Sequence, residues 1–176
     1  MLPKLAMLPL LAAGVLAMAG CADTVAGNPT PAADVSTSTT EPPSTVSTSI
    51  DPCALITAAD VQQLSLVARG PDRVGGGRGC SWYKDGVYAV GFSIYDQVGI
   101  DRFASGEPTV SNHPVGSHDG REFIPPEHGC GIVLEITRSS IIVLVVSDAA
   151  GGDTVSCHLA GDFALLIEPR LPAEQK

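Results

Sequence analysis

Cationic side chains are scarce in this chain: 10 Lys and Arg stand against 19 Asp and Glu across 176 residues. No basic stripe forms anywhere, so the electrostatic footprint of a nucleic-acid binder is absent. Aromatic residues make up 5% of the chain. Trp82, Tyr83 and Tyr88 are therefore needed for core packing before any of them is free to line a ligand face. Long apolar runs are also missing. Leu5 to Met18 is uncharged, yet at 1.5 Å per residue it covers about 21 Å, short of a hydrocarbon core of about 30 Å.

Motifs for catalysis are equally sparse. Gly75-Gly76-Gly77-Arg78-Gly79 is followed by neither Lys-Ser nor Lys-Thr, and no helix opens after it, so it reads as a connector and not a phosphate cradle. No Gly-x-Ser-x-Gly elbow occurs, which removes the usual signature of an esterase. Cys53, Cys80, Cys130 and Cys157 are nowhere closer than 27 residues, far from the paired spacing of a structural zinc site. No cofactor is expected.

What is present begins at the N-terminus. Met1-Leu2-Pro3-Lys4 places one cation ahead of the apolar run, the form of an export signal over residues 1–20. Met18-Ala19-Gly20-Cys21 then resembles a lipobox, with Met18 where Leu is usual. The resemblance implies cleavage before Cys21 and a diacylglycerol on its thiol. Two acyl chains, at about 0.8 kcal/mol per buried CH₂, suffice for stable anchoring. Removing residues 1–20 takes away Lys4 and no acid, leaving 9 cations, 19 acids and a net charge of −10. Anionic head groups repel such a chain, so the lipid must hold it on the extracytoplasmic face of the cell membrane.

Residues 21–50 read as a tether. Of the 23 residues from Asn28 to Ile50, 15 are Ser, Thr or Pro, a composition that buries too little apolar surface to fold. Its mean reach is roughly 30 Å. Thr37, Thr39, Thr40, Thr45 and Thr48 are candidates for O-glycosylation, and an unmodified spacer fits equally well.

The texture changes at Asp51, where an α+β domain of residues 51–172 is expected, followed by a tail of 173–176. Thr57-Ala58-Ala59-Asp60 has a capping-box form. Val61, Leu64 and Val67 continue at helical spacing until Gly70-Pro71 stops the run. Asp85-Gly86 between two β-prone runs marks a hairpin; a two-residue turn would set Tyr83 opposite Tyr88 and Trp82 opposite Ala89. A short strand is expected at Gly120–Ile124. Ile132, Leu134 and Ile136 alternate as a half-buried strand, and Ile141–Val146 is apolar on both faces, as in a central strand. Val155, Leu159, Phe163 and Leu166 mark a helix from near Asp153 to before Pro169. The sum is a mostly antiparallel sheet of about five strands with an N-terminal and a C-terminal helix.

With Cys21 assigned to lipid, four cysteines remain, an even set that suits an oxidising compartment. Three pairings are possible. Cys53–Cys80 with Cys130–Cys157 is favoured because each would tie a helix end to a strand start, closing a loop worth roughly 3.5 kcal/mol of unfolded-state entropy.

The pattern Asp51-Pro52-Cys53, Cys80-Ser81-Trp82, Cys130 before a strand and Cys157 in the last helix resembles an actinobacterial, mycobacterial Lpr-type lipoprotein family with a domain of unknown function. The resemblance spans roughly residues 51–172 and implies an extracytoplasmic location, a lipid anchor and paired cysteines. It carries over no catalytic residue.

One cluster is chemically suggestive. His113, His118 and His128, with Asp119 and Glu127, could ligate zinc or another divalent ion, although their spacing matches no helical pair and a polar loop is the plainer reading. His158 reads as an exposed helix residue. The sequence thus leads to a non-catalytic envelope lipoprotein, membrane-bound through its lipid, whose domain binds a protein or ligand. The alternatives are a carrier of a small apolar ligand and a metal-dependent or hydrolytic enzyme.

Overall fold

The structure, a computed structural model, describes residues 45–126, 128–148 and 152–174. The export signal, Cys21, the tether before residue 45 and Glu127 lie outside the described residues.

The chain begins with a one-turn helix α1 (Thr45–Thr48) and a 3-10 turn at Pro52–Ala54. Then come α2 (Ala58–Leu64), β1 (Val67–Asp72), β2 (Arg78–Lys84), β3 (Tyr88–Tyr95) and α3 (Ile100–Ala104). The second half supplies β4 (Val110–Asn112), β5 (Gly120–Phe123), β6 (Cys130–Thr137), β7 (Ser140–Asp148) and α4 (Gly152–Ile167). All seven strands join one sheet in the order β1-β2-β3-β7-β6-β5-β4, antiparallel at every pairing.

The sheet has seven strands where about five were expected. β1 was missed because Gly70-Pro71 reads as a helix stop. Pro71 is tolerated here because β1 is an edge strand, where one missing N–H breaks no central ladder. The helix before it ends sooner than its apolar spacing suggests: Ser65 turns left-handed at φ 55°, and Leu66 N–H closes the end on Val61 O at 2.9 Å. Val67 is thereby released into β1. β4, the other missed strand, has three residues and too little pattern to read.

The β2–β3 hairpin is also one residue out of the expected register. Val87 N–H donates to Lys84 O, Gly86 takes φ 64°, and the loop holds three residues, so Trp82 faces Val90 and Tyr83 faces Ala89. Cross-strand partners share a face. The observed register places buried Trp82 with buried Val90, whereas the two-residue turn would pair it with the half-exposed side.

The two sheet faces are covered unequally. On one, α4 lies over β6 and β7, closing a core that includes Trp82, Phe92, Ile132, Leu144 and Ile167. On the other, α3 covers a smaller cluster of Ile100, Phe123, Val133, Ile141 and Val143. The buried side of α4 is Ser156, Ala160, Phe163, Ala164 and Ile167, rotated from the expected stripe. Small residues toward the sheet let the helix settle close, which leaves Val155 at 44% and Leu165 at 62% exposure.

Part of residues 45–50, assigned to the tether from composition, packs against the domain. Ser47 and Ile50 are buried. The Arg78 guanidinium donates to Ser47 O at 2.9 Å and to Ile50 O at 2.8 Å, and pairs with Asp96 at 3.1 Å. Val46 and Ile50, four residues apart, supply the apolar contacts that the Ser/Thr background conceals.

Candidate functional site: the cleft between α2 and α4

Because the small face of α4 meets the sheet, its flank carrying Leu159, Phe163 and Leu166 looks sideways toward Leu64 of α2. The two helices do not close on each other. They enclose a cleft of 190 Å³ whose floor is Tyr88 and whose rim is Asp60, Gln63 and Asp162. Tyr88 is fixed by edge-to-face contact with Phe163 at 5.9 Å, and burial pushes its phenol above the usual range. The phenol thus remains a neutral donor.

The rim carboxylates differ in state. Asp60 closes the capping box: Thr57 N–H donates to it at 2.8 Å, and Thr57 Oγ1 accepts the Asp60 N–H at 3.2 Å. Arg170 pairs with it at 2.8 Å. The Arg170 hydrogen bond, followed by that of Thr57, holds the Asp60 carboxyl down at about 2. Arg170 also donates to Leu55 O, so the segment after α4 is strapped to α2 and the turn before it. Asp162 is exposed and has no ion pair among the described residues. Neither α2 nor α4 carries a Lys or Arg.

The histidines are dispersed. His118 is buried, with Nδ1 3.1 Å from Glu168 Oε1 and Nε2 2.8 Å from Pro172 O. Glu168 also accepts from Ser117 N–H and Ser117 Oγ at 2.9 and 3.0 Å, bonds that hold its carboxyl below the usual range. Gly116 permits this approach: at φ 56°, its absent Cβ would meet the Glu168 carboxylate at 2.3 Å. Serine, histidine and glutamate meet here, but the serine hydroxyl bonds the carboxylate directly and the outer imidazole nitrogen is capped by a carbonyl. The order a nucleophilic relay needs is not present in this trio.

His113 lies elsewhere, 3.7 Å from Glu122, in a 610 Å³ groove on the other flank of α4 that also contains His158, Asp153 and Leu165. His128 is exposed, at φ 68° in the turn before β6. The structure therefore does not gather His113, His118 and His128. The acidic and sulfur atoms that do converge are those of Glu122, Cys130 and Cys157, where both sulfurs are already joined to each other.

The four cysteines meet as the favoured pairs. Cys53 and Cys80 have Cα atoms 5.0 Å apart, Cys130 and Cys157 4.8 Å apart, each pair at disulfide distance. Trp82 is core, at 2% exposure, while Tyr83 lies under the Arg69 guanidinium at 5.0 Å. Sequence reasoning missed the cleft because its wall residues read as core. The available signal was surplus: α4 has two apolar stripes and only one faces the sheet.

Among the described residues, no helix is long and apolar enough to cross a membrane. A family model described as a protein of unknown function, DUF3558, matches residues 16–170. No curated protein and no solved structure matches the chain.

Proposed function

The chain belongs to the DUF3558 family of unknown function, and from that premise we propose that it is an envelope lipoprotein of the actinobacterial Lpr type, held outside the cell membrane by lipid on Cys21, whose domain is a non-catalytic binding module working through the α2–α4 cleft. The observation that carries the binding reading is the cleft itself: an apolar trough lined by Leu64, Tyr88, Leu159, Phe163 and Leu166 with carboxylates at its rim. Such a combination of apolar walls and few polar groups is the usual form of a recognition site. The lipobox-like Met18-Ala19-Gly20-Cys21 and the two cysteine pairs support the location.

Size argues against the carrier alternative at this cleft. Pockets that enclose a whole ligand run from about 300 Å³ upward, and a cavity of about 150 Å³ holds one benzene. At 190 Å³, the cleft suits one ring or one branched side chain and leaves most of a lipid outside.

Methyl NMR of the full chain titrated with benzyl alcohol tests the binding reading. Shifts concentrated at Leu64, Leu159 and Leu166 are expected; no shift, or shifts spread over both sheet faces, would remove the cleft as the site. For the anchor, Cys21→Ala is expected to move the chain from the membrane pellet to the soluble fraction, and unchanged pelleting would count against lipid attachment.

A further inference from the structure

We infer that the cleft is the seat for a protein segment in which one apolar side chain lies beside a Lys or Arg, the cation pairing with Asp162. This deepens the binding reading above and rests on it. Three observations carry it. First, the volume of 190 Å³ matches a single anchor side chain, the unit through which a few residues dominate protein interfaces. Second, the stripe that walls the cleft does not stop there. Val155, Leu159, Asp162 and Leu166 follow one another at helical spacing along α4, and Val155 stands outside the cleft at 44% exposure. A small molecule filling the trough would leave Val155 bare, whereas a helix or extended segment laid along that stripe of α4 would cover it.

Third, the charge is one-sided. Asp60 is already matched by Arg170, while Asp162 projects from the rim without an ion pair among the described residues, on a pair of helices that contain no Lys or Arg and whose one histidine, His158, lines the groove on the other flank. A cation on the occupant would find its complement there, and an anion would be repelled. The asymmetry selects a basic neighbour for the apolar anchor and discriminates against an acidic one, so the partner is recognised by an apolar–basic pair of residues one helical turn or less apart.

The test uses the full chain and three short helical peptides identical except for one residue a turn from a single Leu anchor: Lys, Gln or Glu. Phenethylamine serves as a small-molecule arm. Binding is read by the methyl shifts of Leu64, Leu159 and Leu166. The Lys peptide is expected to bind at least about tenfold more tightly than the Glu peptide, and Asp162→Asn is expected to collapse that ratio by weakening the Lys peptide and relieving repulsion of the Glu peptide. Equal binding of the Lys and Glu peptides, or an unchanged ratio in Asp162→Asn, overturns the inference and leaves the apolar cleft standing. If none of the probes binds, the cleft reading itself fails. If phenethylamine binds as tightly as the Lys peptide, the occupant is a small amine and the protein-segment assignment is wrong.

Discussion

Replacing Arg170 with Met removes the guanidinium that joins the end of the chain to α2 while keeping an apolar stem of similar length. Two contacts are lost, the 2.8 Å pair with Asp60 and the hydrogen bond to Leu55 O. With Asp60 held at about 2 instead of 3.8, the shift would correspond to about 2 kcal/mol if expressed in full. Thr57 supplies part of that shift and stays in place, and the Arg170 side chain is 29% exposed, so the expected loss falls to about 1 kcal/mol at neutral pH. A depressed carboxylate stabilises the fold above its unfolded value of 3.8 and loses that contribution as pH falls through about 2. Urea denaturation of both proteins at pH 7 and at pH 2 therefore has a defined outcome: a gap of about 1 kcal/mol at pH 7 that shrinks by half or more at pH 2. Asp60→Asn should show the same pattern, and the double variant should cost less than the two singles together. A gap that is the same at both pH values would refute the ion-pair account and leave only the Leu55 contact. Because Asp60 also lines the cleft, Arg170→Met should weaken binding of an apolar probe there.

Other consequences follow from the same geometry. Reducing both disulfides should lower the melting temperature sharply, with about 7 kcal/mol of loop-closure restraint as the upper bound; an unchanged melting point with four alkylated thiols would contradict the pairing. Arg78→Met should free residues 45–50 and cost about 2 kcal/mol, since two carbonyls and Asp96 lose a charged donor. Limited proteolysis would then cut between Thr48 and Pro52, and resistance equal to the parent would show that Arg78 is not the clamp. The hydroxyl of Ser156 is buried on the sheet-facing side of α4 and has no hydrogen-bond partner among the described residues, so Ser156→Ala should stabilise the domain by about 1 kcal/mol in chemical denaturation. Destabilisation instead would mean that the hydroxyl is satisfied in solution.

Periodicity made the centre of this fold legible and left its edges obscure. Ile141–Val146 was legible as the central strand β7 because a strand covered on both sides must be an apolar run throughout, whereas β6, expected to be half-buried, is buried on both faces at Ile132, Val133 and Leu134. β1 carries no such run. As an edge strand with one Gly and one Pro and with largely exposed residues, it is held by its ladder to β2 and not by a core. The helix before it ends at a left-handed Ser65, a residue type that gives no warning, where a glycine would have announced the cap. The Asp85-Gly86 turn was visible but its length was not, and one residue of loop shifts every cross-strand partner.

The site was legible only in fragments. Leu159, Phe163 and Leu166 stood out as a helix face, yet which face of α4 meets the sheet depends on Ser156, Ala160 and Ala164, whose small size is a packing fact and not a hydropathy signal. His113, His118 and His128 drew attention by residue type within a short stretch, and the chain sends them to a groove, a buried lock and an exposed turn. The cysteines were the most readable feature, since even number, order and neighbours constrained them before any geometry was known.

Site-specific photocrosslinking of the anchored chain, in the envelope of the cell that makes it, tests the central claim most directly. A photoreactive residue at Gln63, on the rim of the cleft, is compared with one at Gln97, an exposed position between Asp96 and Val98 near the opposite face of the sheet. A discrete adduct from Gln63 that disappears with Asp162→Lys, and none from Gln97, is expected. Equal labelling at both positions, or a Gln63 adduct indifferent to Asp162→Lys, would contradict the claim.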